Sequence, residues 1–247
     1  MSFLDWLYSR YPNPSINGQW GLLHILTLVA CIALIIGISL IFRKKSSKAK
    51  KTIVFTLISI ILFFELARRA IGMILMEEYE LTNILKLLLP GSWGAISCWT
   101  LILAMIVRKK WLYNYASITG LLCAIVFFAY PSAGFNNQYI LFENVYSIAT
   151  HSLLLIVSIL FMTLKFTDFN NSKTILPVIL SYIFTVGYAF LQIYVLKIES
   201  DPLYFMPGNE IFNIVGFEYH WYLIIYVLFI CSFTSIFYII GKKENKN

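Results

Sequence analysis

Two residues in apolar stretches of this sequence, Cys98 and His151, are of the types that acyl transfer uses. The thiolate form of cysteine attacks an acyl ester, and a histidine within hydrogen-bonding distance acts as its general base. The alternative is a small buried cysteine that only packs, beside a histidine that only forms a hydrogen bond. The sequence therefore offers a nucleophile and a base, provided that their helices bring them to one level.

The depth of Cys98 depends on where the third apolar stretch becomes helical. If the helix begins at Pro90, Cys98 lies about 12 Å along it, nearly level with His151 at about 9 Å from Val145. If the helix begins near Asn83, Cys98 lies about 22 Å along it and the pair cannot form. We prefer the start at Pro90, because proline is well tolerated as the first helical residue. The segment Glu77–Leu89 then becomes a short amphipathic piece at the outer interface.

The second apolar stretch carries Glu65, Arg68 and Arg69, which lie on one helix face at i, i+3 and i+4. Ionisable groups inside a membrane are costly and mark functional sites by default. One interpretation is an ion pair of Glu65 with either arginine that fixes helix packing. The second arginine then lacks a counter-charge and suits an anionic headgroup or carboxylate.

Further polar residues fall in the same half of their predicted helices. They are His24, Tyr188, Gln192 and His220. Together with Glu65, Arg68 and His151 they predict a polar cavity open to, or near, the outer face. The other halves of the helices hold almost nothing comparable. No spacing requires the three histidines to bind a metal, so we predict no metal site.

Composition restricts the class of protein. The 247 residues are 60% hydrophobic and 13% charged, with a mean hydropathy of +0.78. A soluble domain is about 25% charged. This composition excludes a soluble enzyme, a disordered protein, a coiled coil and a disulfide-stapled secreted domain. The net charge of +7 is explained by basic membrane-protein loops, and no nucleic-acid partner is expected.

Seven apolar stretches predict an all-α protein, a seven-helix transmembrane bundle that forms a single domain over residues 1–247. They are Gly21–Phe42, Thr52–Ile74, Pro90–Val107, Leu112–Tyr130, Val145–Phe166, Ile175–Leu196 and His220–Ile240.

Basic residues indicate the orientation of this bundle. Fourteen lysines and arginines fall on one side, six of them between Arg43 and Lys51, whereas the connections of the opposite side hold Arg10 and Lys197. Because basic loops stay in the cytoplasm, we predict the N-terminus outside and the C-terminus inside. The residue usage, rich in Ile, Lys, Asn and Phe, is typical of an AT-rich bacterial gene, which favours the plasma membrane of a bacterium.

Six short motifs resemble the YwaF-like family of bacterial integral membrane proteins, which is distantly related to a eukaryotic ether-phospholipid acyltransferase. They are "WGLLHILTL", "FELARRAIG", "LLLPGSWGAISCW", "FFAYPSAG", "SIATHSLLL" and "FNIVGFEYHWYLIIYVL". Their order covers most of the chain. The resemblance implies a multi-helix membrane protein and acyl transfer through Cys98 with His151. The family commonly has "LPLHLC" in its third span, and Ile96 stands here in place of that histidine.

Three functions remain open from the sequence. The first is a lipid acyltransferase-like enzyme in which Cys98 is the nucleophile, His151 is the base and Arg68 or Arg69 holds the headgroup. The second is a binding or transport protein for a small anionic solute, and the third is a non-catalytic structural subunit. Membrane lipids are the expected partners. No cofactor is predicted, because no nucleotide-binding or zinc-protease motif occurs, and the sequence indicates no oligomeric state.

Overall fold

The computed structural model describes residues 20–76, 78–130, 132–135, 141–198, 203–204, 216 and 218–244. Within these ranges the secondary structure is helical and contains no strand, as the sequence predicts. We number the α-helices in chain order. They are α1 (Leu22–Phe42), α2 (Ser47–Ile74), α3 (Leu81–Leu88), α4 (Trp93–Val107), α5 (Lys110–Ala129), α6 (Ser132–Phe135), α7 (Phe142–Thr163), α8 (Ile175–Phe190) and α9 (Tyr219–Glu244).

Five helices are long and apolar enough to cross a membrane, and the bent pair of α3 and α4 brings the number to six within the described part of the chain. The five include α1, α5, α7 and α9, together with α8 and the turns that flank it. Helix α2 has the length of a span, with 28 residues. It does not qualify by composition because lysines at its start and three ionisable residues farther along interrupt its apolar sequence. The chain is therefore a multi-pass membrane protein, and the seventh span stays a prediction.

The third predicted span is broken. Helices α3 and α4 are bent by 59° at a short break, so the helix that holds Cys98 does not continue back to Asn83. The preferred start at Pro90 was nearly right: Pro90 lies before the helix, and α4 begins at Trp93. Ser92 is the N-cap, whose hydroxyl accepts a hydrogen bond from Ala95 N at 3.2 Å. A serine that satisfies a free helix amide fixes the start more strongly than a proline two residues earlier.

Helices α5 and α7 form the centre of the bundle. Helix α7 packs against α1, α2, α4 and α5, and α5 also packs against α4 and α8. Small residues allow the close contact between α5 and α7, since a Cβ at Gly120 would lie 2.4 Å from the Ser158 hydroxyl. Glu65, Arg68, Arg69 and Cys98 are thus carried by helices that pack directly on α7, which carries His151.

The sixth predicted span ends in an irregular turn. Helix α8 passes into a π-helical turn over Leu191–Val195, in which Gln192 is fully buried. Such single π-turns re-aim side chains and are frequent at functional sites. The hydropathy pattern predicted the span and gave no signal of this turn.

Candidate functional site

The imidazole of His151 is oriented by its own helix. Its Nδ1 lies 2.8 Å from the carbonyl oxygen of Ser147, one turn earlier in α7. A carbonyl only accepts hydrogen bonds, so Nδ1 carries the proton and Nε2 is the acceptor nitrogen. The ring also stacks on Phe127 of α5 with 4.0 Å between centroids and 10° between planes. His151 thus presents the nitrogen that a general base needs.

Nε2 of His151 faces the start of α4. A Cβ built on Gly94 would lie 3.1 Å from this nitrogen and 3.8 Å from the sulfur of Cys123 in α5. Gly94 precedes Cys98 by four residues, so the two lie on one face of α4, one turn apart. The structure therefore places the predicted base against the helix face that carries the predicted nucleophile, with a second thiol beside it. Cys98 and Cys123 are both buried.

Glu65 forms the centre of a buried polar cluster. One carboxylate oxygen lies 2.6 Å from Nη1 of Arg69, which also donates to the Glu65 carbonyl at 2.8 Å. The other oxygen accepts a hydrogen bond of 2.5 Å from the Tyr146 hydroxyl of α7. Arg69 Nε donates to the carbonyl of Leu88 at the end of α3. The ion pair lies within α2, the hydrogen bond from Arg69 to Leu88 ties α2 to α3, and the hydrogen bond from Tyr146 to Glu65 ties α2 to α7.

The two arginines have different environments. Arg69 is buried, pairs with Glu65 and lies 5.2 Å from the ring centroid of Trp99. Arg68 is half-buried, and its guanidinium carbon lies 5.5 Å from the ring centroid of Tyr146. Among the described residues no carboxylate pairs with Arg68. Of the two pairings that the sequence left open, the structure shows the one with Arg69.

The charged cluster and the thiol–imidazole region lie together. The Cys98 thiol is within electrostatic reach of Glu65, Arg68, Arg69 and Cys123. His151 is likewise within reach of Glu65. Five predicted site residues, Glu65, Arg68, Arg69, Cys98 and His151, therefore share one region where α2, α4 and α7 meet.

His24 lies at the edge of this region, behind aromatic rings. It is fully buried, and its Nδ1 accepts a hydrogen bond from the Trp20 amide at 3.2 Å. Its ring stacks on Phe128 at 5.9 Å, and Phe128 contacts Phe127, on which His151 stacks. Two phenylalanines thus connect the histidines, and the contacts of His24 are those of a packing residue.

Tyr188 and Gln192 meet the break before α4. The Gln192 amide donates to the carbonyl of Pro90 at 3.1 Å, and the Tyr188 hydroxyl lies 3.4 Å from the same oxygen. That carbonyl lacks a helical partner because α4 begins only at Trp93. These two side chains therefore hold the broken span in place from α8.

His220 does not join the buried cluster. Its side chain is 62% exposed at the start of α9, and Nε2 lies 3.6 Å from a carboxylate oxygen of Glu218. The structure thus groups the five residues near α7, whereas His24, Tyr188, Gln192 and His220 occupy other environments, and a cavity that is open to the outer face stays a prediction. Among the described residues no three His, Cys, Asp or Glu side chains are arranged to hold a metal ion.

Four contributors were missed by the sequence reasoning: Gly94, Trp99, Cys123 and Tyr146. Tyr146 lies five residues before His151 in α7, and its hydroxyl inside an apolar helix was a usable signal. In the sequence nothing distinguishes Cys123 and Trp99 from ordinary apolar residues of a membrane helix. Gly94 acquires its meaning only from the neighbouring helix, since nothing in the sequence shows that His151 lies against it.

An apolar groove runs along the other side of α4. Its volume is about 680 Å³, and it lies between α4, α5 and α8. Ile96, Trp99 and Leu103 supply its α4 wall. Trp99 follows Cys98 and is turned from it by about 100° around the helix, so Trp99 separates the groove from the Glu65–Arg69 pair.

Comparison with known proteins gives one match. The sequence model of the TMEM164 family, a family of membrane proteins, matches residues 19–238. No curated protein matches significantly. No solved structure matches significantly either. The matched residues include every helix from α1 to α8 and most of α9, with all the residues of the candidate site. The chain therefore belongs to the TMEM164 family.

Proposed function

We propose that this protein is a membrane-embedded lipid acyltransferase in which Cys98 is the nucleophile and His151 the general base. The observation that carries the proposal is the direction of His151 Nε2. This acceptor nitrogen lies against Gly94, one turn from Cys98 on the same face of α4. The resemblance of the sequence to YwaF-like proteins, with their distant ether-phospholipid acyltransferase relative, supports the same chemistry.

The reaction needs four proton transfers at one imidazole, two in each half. His151 Nε2 takes the proton of the Cys98 thiol, and the sulfur attacks the carbonyl carbon of a phospholipid ester. The ester C–O bond breaks, the leaving lyso-lipid oxygen takes the proton back from His151, and an acyl thioester remains on Cys98. The hydroxyl of an acceptor lyso-lipid then gives its proton to His151, and its oxygen attacks the thioester carbonyl carbon. The C–S bond breaks, the Cys98 sulfur takes the proton from His151, and the new ester leaves.

Charged and apolar parts of the region suit a phospholipid substrate. Arg68 has no carboxylate partner among the described residues and carries the charge that a phosphate group would neutralise. The Glu65–Arg69 pair lies next to it, and its side chains are hydrogen-bonded to Leu88 of α3 and Tyr146 of α7. The apolar groove lies on the other side of Trp99 from these charges and is large enough for part of an acyl chain. A site of this kind exchanges chains between lipids without leaving the bilayer.

An acyl-exchange assay with the full-length purified chain tests this function. The protein is placed in phosphatidylcholine nanodiscs with a lyso-ether-phospholipid acceptor, and the product is measured by mass spectrometry. We expect Cys98→Ala to abolish exchange and His151→Gln to reduce it by about 10²–10⁴-fold. Cys123→Ala is the matched control, since it removes the neighbouring thiol and should leave exchange largely intact.

The covalent step has its own readout. Intact-mass analysis of the protein after incubation with donor lipid should show one added acyl group that hydroxylamine removes. The adduct should be absent from Cys98→Ala and present in Cys123→Ala. Full exchange activity in Cys98→Ala would contradict the proposal, as would an adduct on Cys123 alone.

A second candidate is the binding or transport of a small anionic solute, favoured by the uncompensated charge of Arg68. It differs from the enzyme in needing no thiol. The test is uptake of an anionic solute into proteoliposomes. Uptake that is lost in Arg68→Gln and unchanged in Cys98→Ala would favour this candidate.

We propose that either activity takes place in a bacterial plasma membrane, with the N-terminus outside. The residue usage and the distribution of basic loops support this location.

A further inference from the structure

A second cavity lies at the opposite end of the helices from the candidate site. Its volume is about 380 Å³, and it is formed by the start of α2, the connection between α4 and α5, and the residues that follow α7. We call it the basic cavity. Its lining residues are Ser47, Lys50, Lys51, Arg108, Lys110, Tyr113, Leu164, Lys165 and Phe166.

Five of the nine lining residues are basic and none is acidic. They come from segments that are far apart in the sequence, so the fold brings together charges that repel one another. In the described part of the chain, no ion pair with a carboxylate involves any of them. Like charges assembled around one concavity raise its potential and attract an anion.

The backbone brings two of these residues to the cavity in an unusual conformation. Arg108 ends α4 with φ 57° and ψ 30°, and Lys165 follows α7 with φ 67°. This left-handed region suits glycine and costs conformational energy for any other residue. Arginine and lysine therefore occupy two sharp turns at which the backbone conformation by itself would favour glycine. Residues held in such conformations cluster at ligand sites.

Hydrogen bonds fix the shape of the cavity. The Lys110 ammonium donates to the carbonyl oxygens of Lys165 at 3.1 Å and Phe166 at 2.8 Å, which ties the start of α5 to the chain after α7. Ser47 and Lys110 are the first residues of α2 and α5. Two helix N-termini, whose free amides and dipoles also favour negative charge, therefore lie at this cavity.

We propose that the basic cavity is a binding site for a phosphate-bearing anion, distinct from the candidate acyl-transfer site. A guanidinium and several ammonium groups around one concavity match a phosphate group. The cavity lies where the helices end, at the level of lipid headgroups, and basic pockets between membrane helices bind anionic headgroups. The phosphate can belong to a phospholipid or be free in solution, and the experiment below separates the two.

The test measures binding by the full-length purified chain. In one arm the protein is placed in phosphatidylcholine nanodiscs with or without phosphatidylglycerol, and the lipids retained after transfer to detergent are counted by native mass spectrometry. In the other arm inorganic phosphate is titrated in detergent by calorimetry. Retention of phosphatidylglycerol assigns the site to a headgroup, and saturable binding of inorganic phosphate alone assigns it to a soluble anion. Absence of both overturns the proposal.

Single substitutions distinguish anion binding in this cavity from attraction to the basic face as a whole. Lys50→Gln and Arg108→Gln should each weaken binding about fivefold, the effect of one basic residue near an anionic surface. Lys173→Gln is the matched control, because this lysine is exposed and does not line the cavity. An equal loss in Lys173→Gln would mean attraction to the whole basic face and would contradict a defined site.

Arg108 offers a check on folding. Arg108→Gly relieves the left-handed backbone and removes the charge, so we expect binding to weaken while the thermal stability of the detergent-solubilised protein is kept or raised. Arg108→Lys keeps the charge and should retain most of the binding. If Arg108→Gly binds as well as the wild type, Arg108 is not a ligand and the proposal fails.

Discussion

At the scale of single residues, the candidate site depends on Gly94, which has a hydrogen atom where alanine would have a methyl group. Gly94 lets the His151 ring approach α4, and a Cβ there would lie 3.1 Å from Nε2. We predict that Gly94→Ala displaces the ring by a few tenths of an ångström and lowers acyl exchange by about tenfold or more, since displacements of this kind misalign the base. Exchange is measured in the nanodisc assay proposed above.

Gly37→Ala is the matched control for this substitution. Nothing lies within 4 Å of a Cβ at Gly37, which is also inside a helix. Both changes should gain the helix preference of alanine, about 0.5–1 kcal/mol. A loss of exchange in Gly94→Ala alone, without loss of stability, assigns the effect to His151. Unchanged exchange in both variants would remove the functional meaning of the contact.

The Glu65–Arg69 pair makes a prediction about stability. Glu65→Gln leaves the buried Arg69 charge without its carboxylate, and breaking a buried pair from one side costs about 3–5 kcal/mol. The double variant Glu65→Gln/Arg69→Met removes both charges and should recover a large part of this loss. A double-mutant cycle of unfolding in detergent measures it. If the two losses simply add, the pair does not couple and is not what holds α2 in place.

The sequence located much of the site but not its contacts. Ionisable residues in apolar stretches identified Glu65, Arg68 and Arg69, and helix depth suggested that Cys98 and His151 are near one another. Which arginine pairs with Glu65 depends on where α3 ends, because Arg69 also binds the Leu88 carbonyl. His24 and His220 have the same residue type as His151, and only tertiary packing separates them.

At the scale of elements, Asn114 connects α5 to the neighbouring parts of the chain. It lies near the end of α5 that is farther from the candidate site. Its amide nitrogen donates to the carbonyl of Asp168 and to the hydroxyls of Thr174 and Tyr238, and its oxygen accepts from the Asp168 amide. One fully buried side chain thus joins α5, the connection before α8, and α9.

We predict that Asn114→Ala destabilises the protein by about 2–3 kcal/mol, since several buried partners lose their hydrogen bonds. Thermal unfolding in detergent measures the change. Asn83→Ala is the control: its amide makes one exposed hydrogen bond to the carbonyl of Glu78, and we expect little effect. Equal melting temperatures for the two variants would show that the Asn114 connection does not contribute to the fold.

The elements themselves were largely predictable because hydrophobic length determines a membrane helix. The prediction succeeded for α1, α5 and α9 to within a few residues. The prediction was less accurate where an N-cap residue determines the start of a helix. Ser46 and Ser92 are such residues, and their side chains accept hydrogen bonds at the starts of α2 and α4. The π-turn at Gln192 has no hydropathy signature, and the hydrogen bond from this residue to the Pro90 carbonyl is a tertiary contact that the sequence does not show.

At the scale of the whole molecule, the number of spans rests on α2. With 28 residues it is about 42 Å long, more than the thickness of the hydrocarbon core. Its ionisable residues need not face lipid, because Glu65 and Arg69 are buried and paired. A paired charge inside the bundle is compatible with a span. If α2 crosses the membrane, the chain has the seven spans that the sequence predicts and its basic connections lie on one side.

Labelling at the two ends of α2 tests this count. Lys45 precedes the helix and Tyr79 follows it, and both are exposed. In a Cys231→Ser background, which removes the exposed native thiol, we expect a membrane-impermeant maleimide to label Tyr79→Cys in intact cells and Lys45→Cys only after permeabilisation. The basic connection that contains Lys45 should remain in the cytoplasm. Labelling of both positions from one side would make α2 re-entrant, reduce the spans to six, and separate Arg68 from the outer leaflet where the proposed substrate must enter.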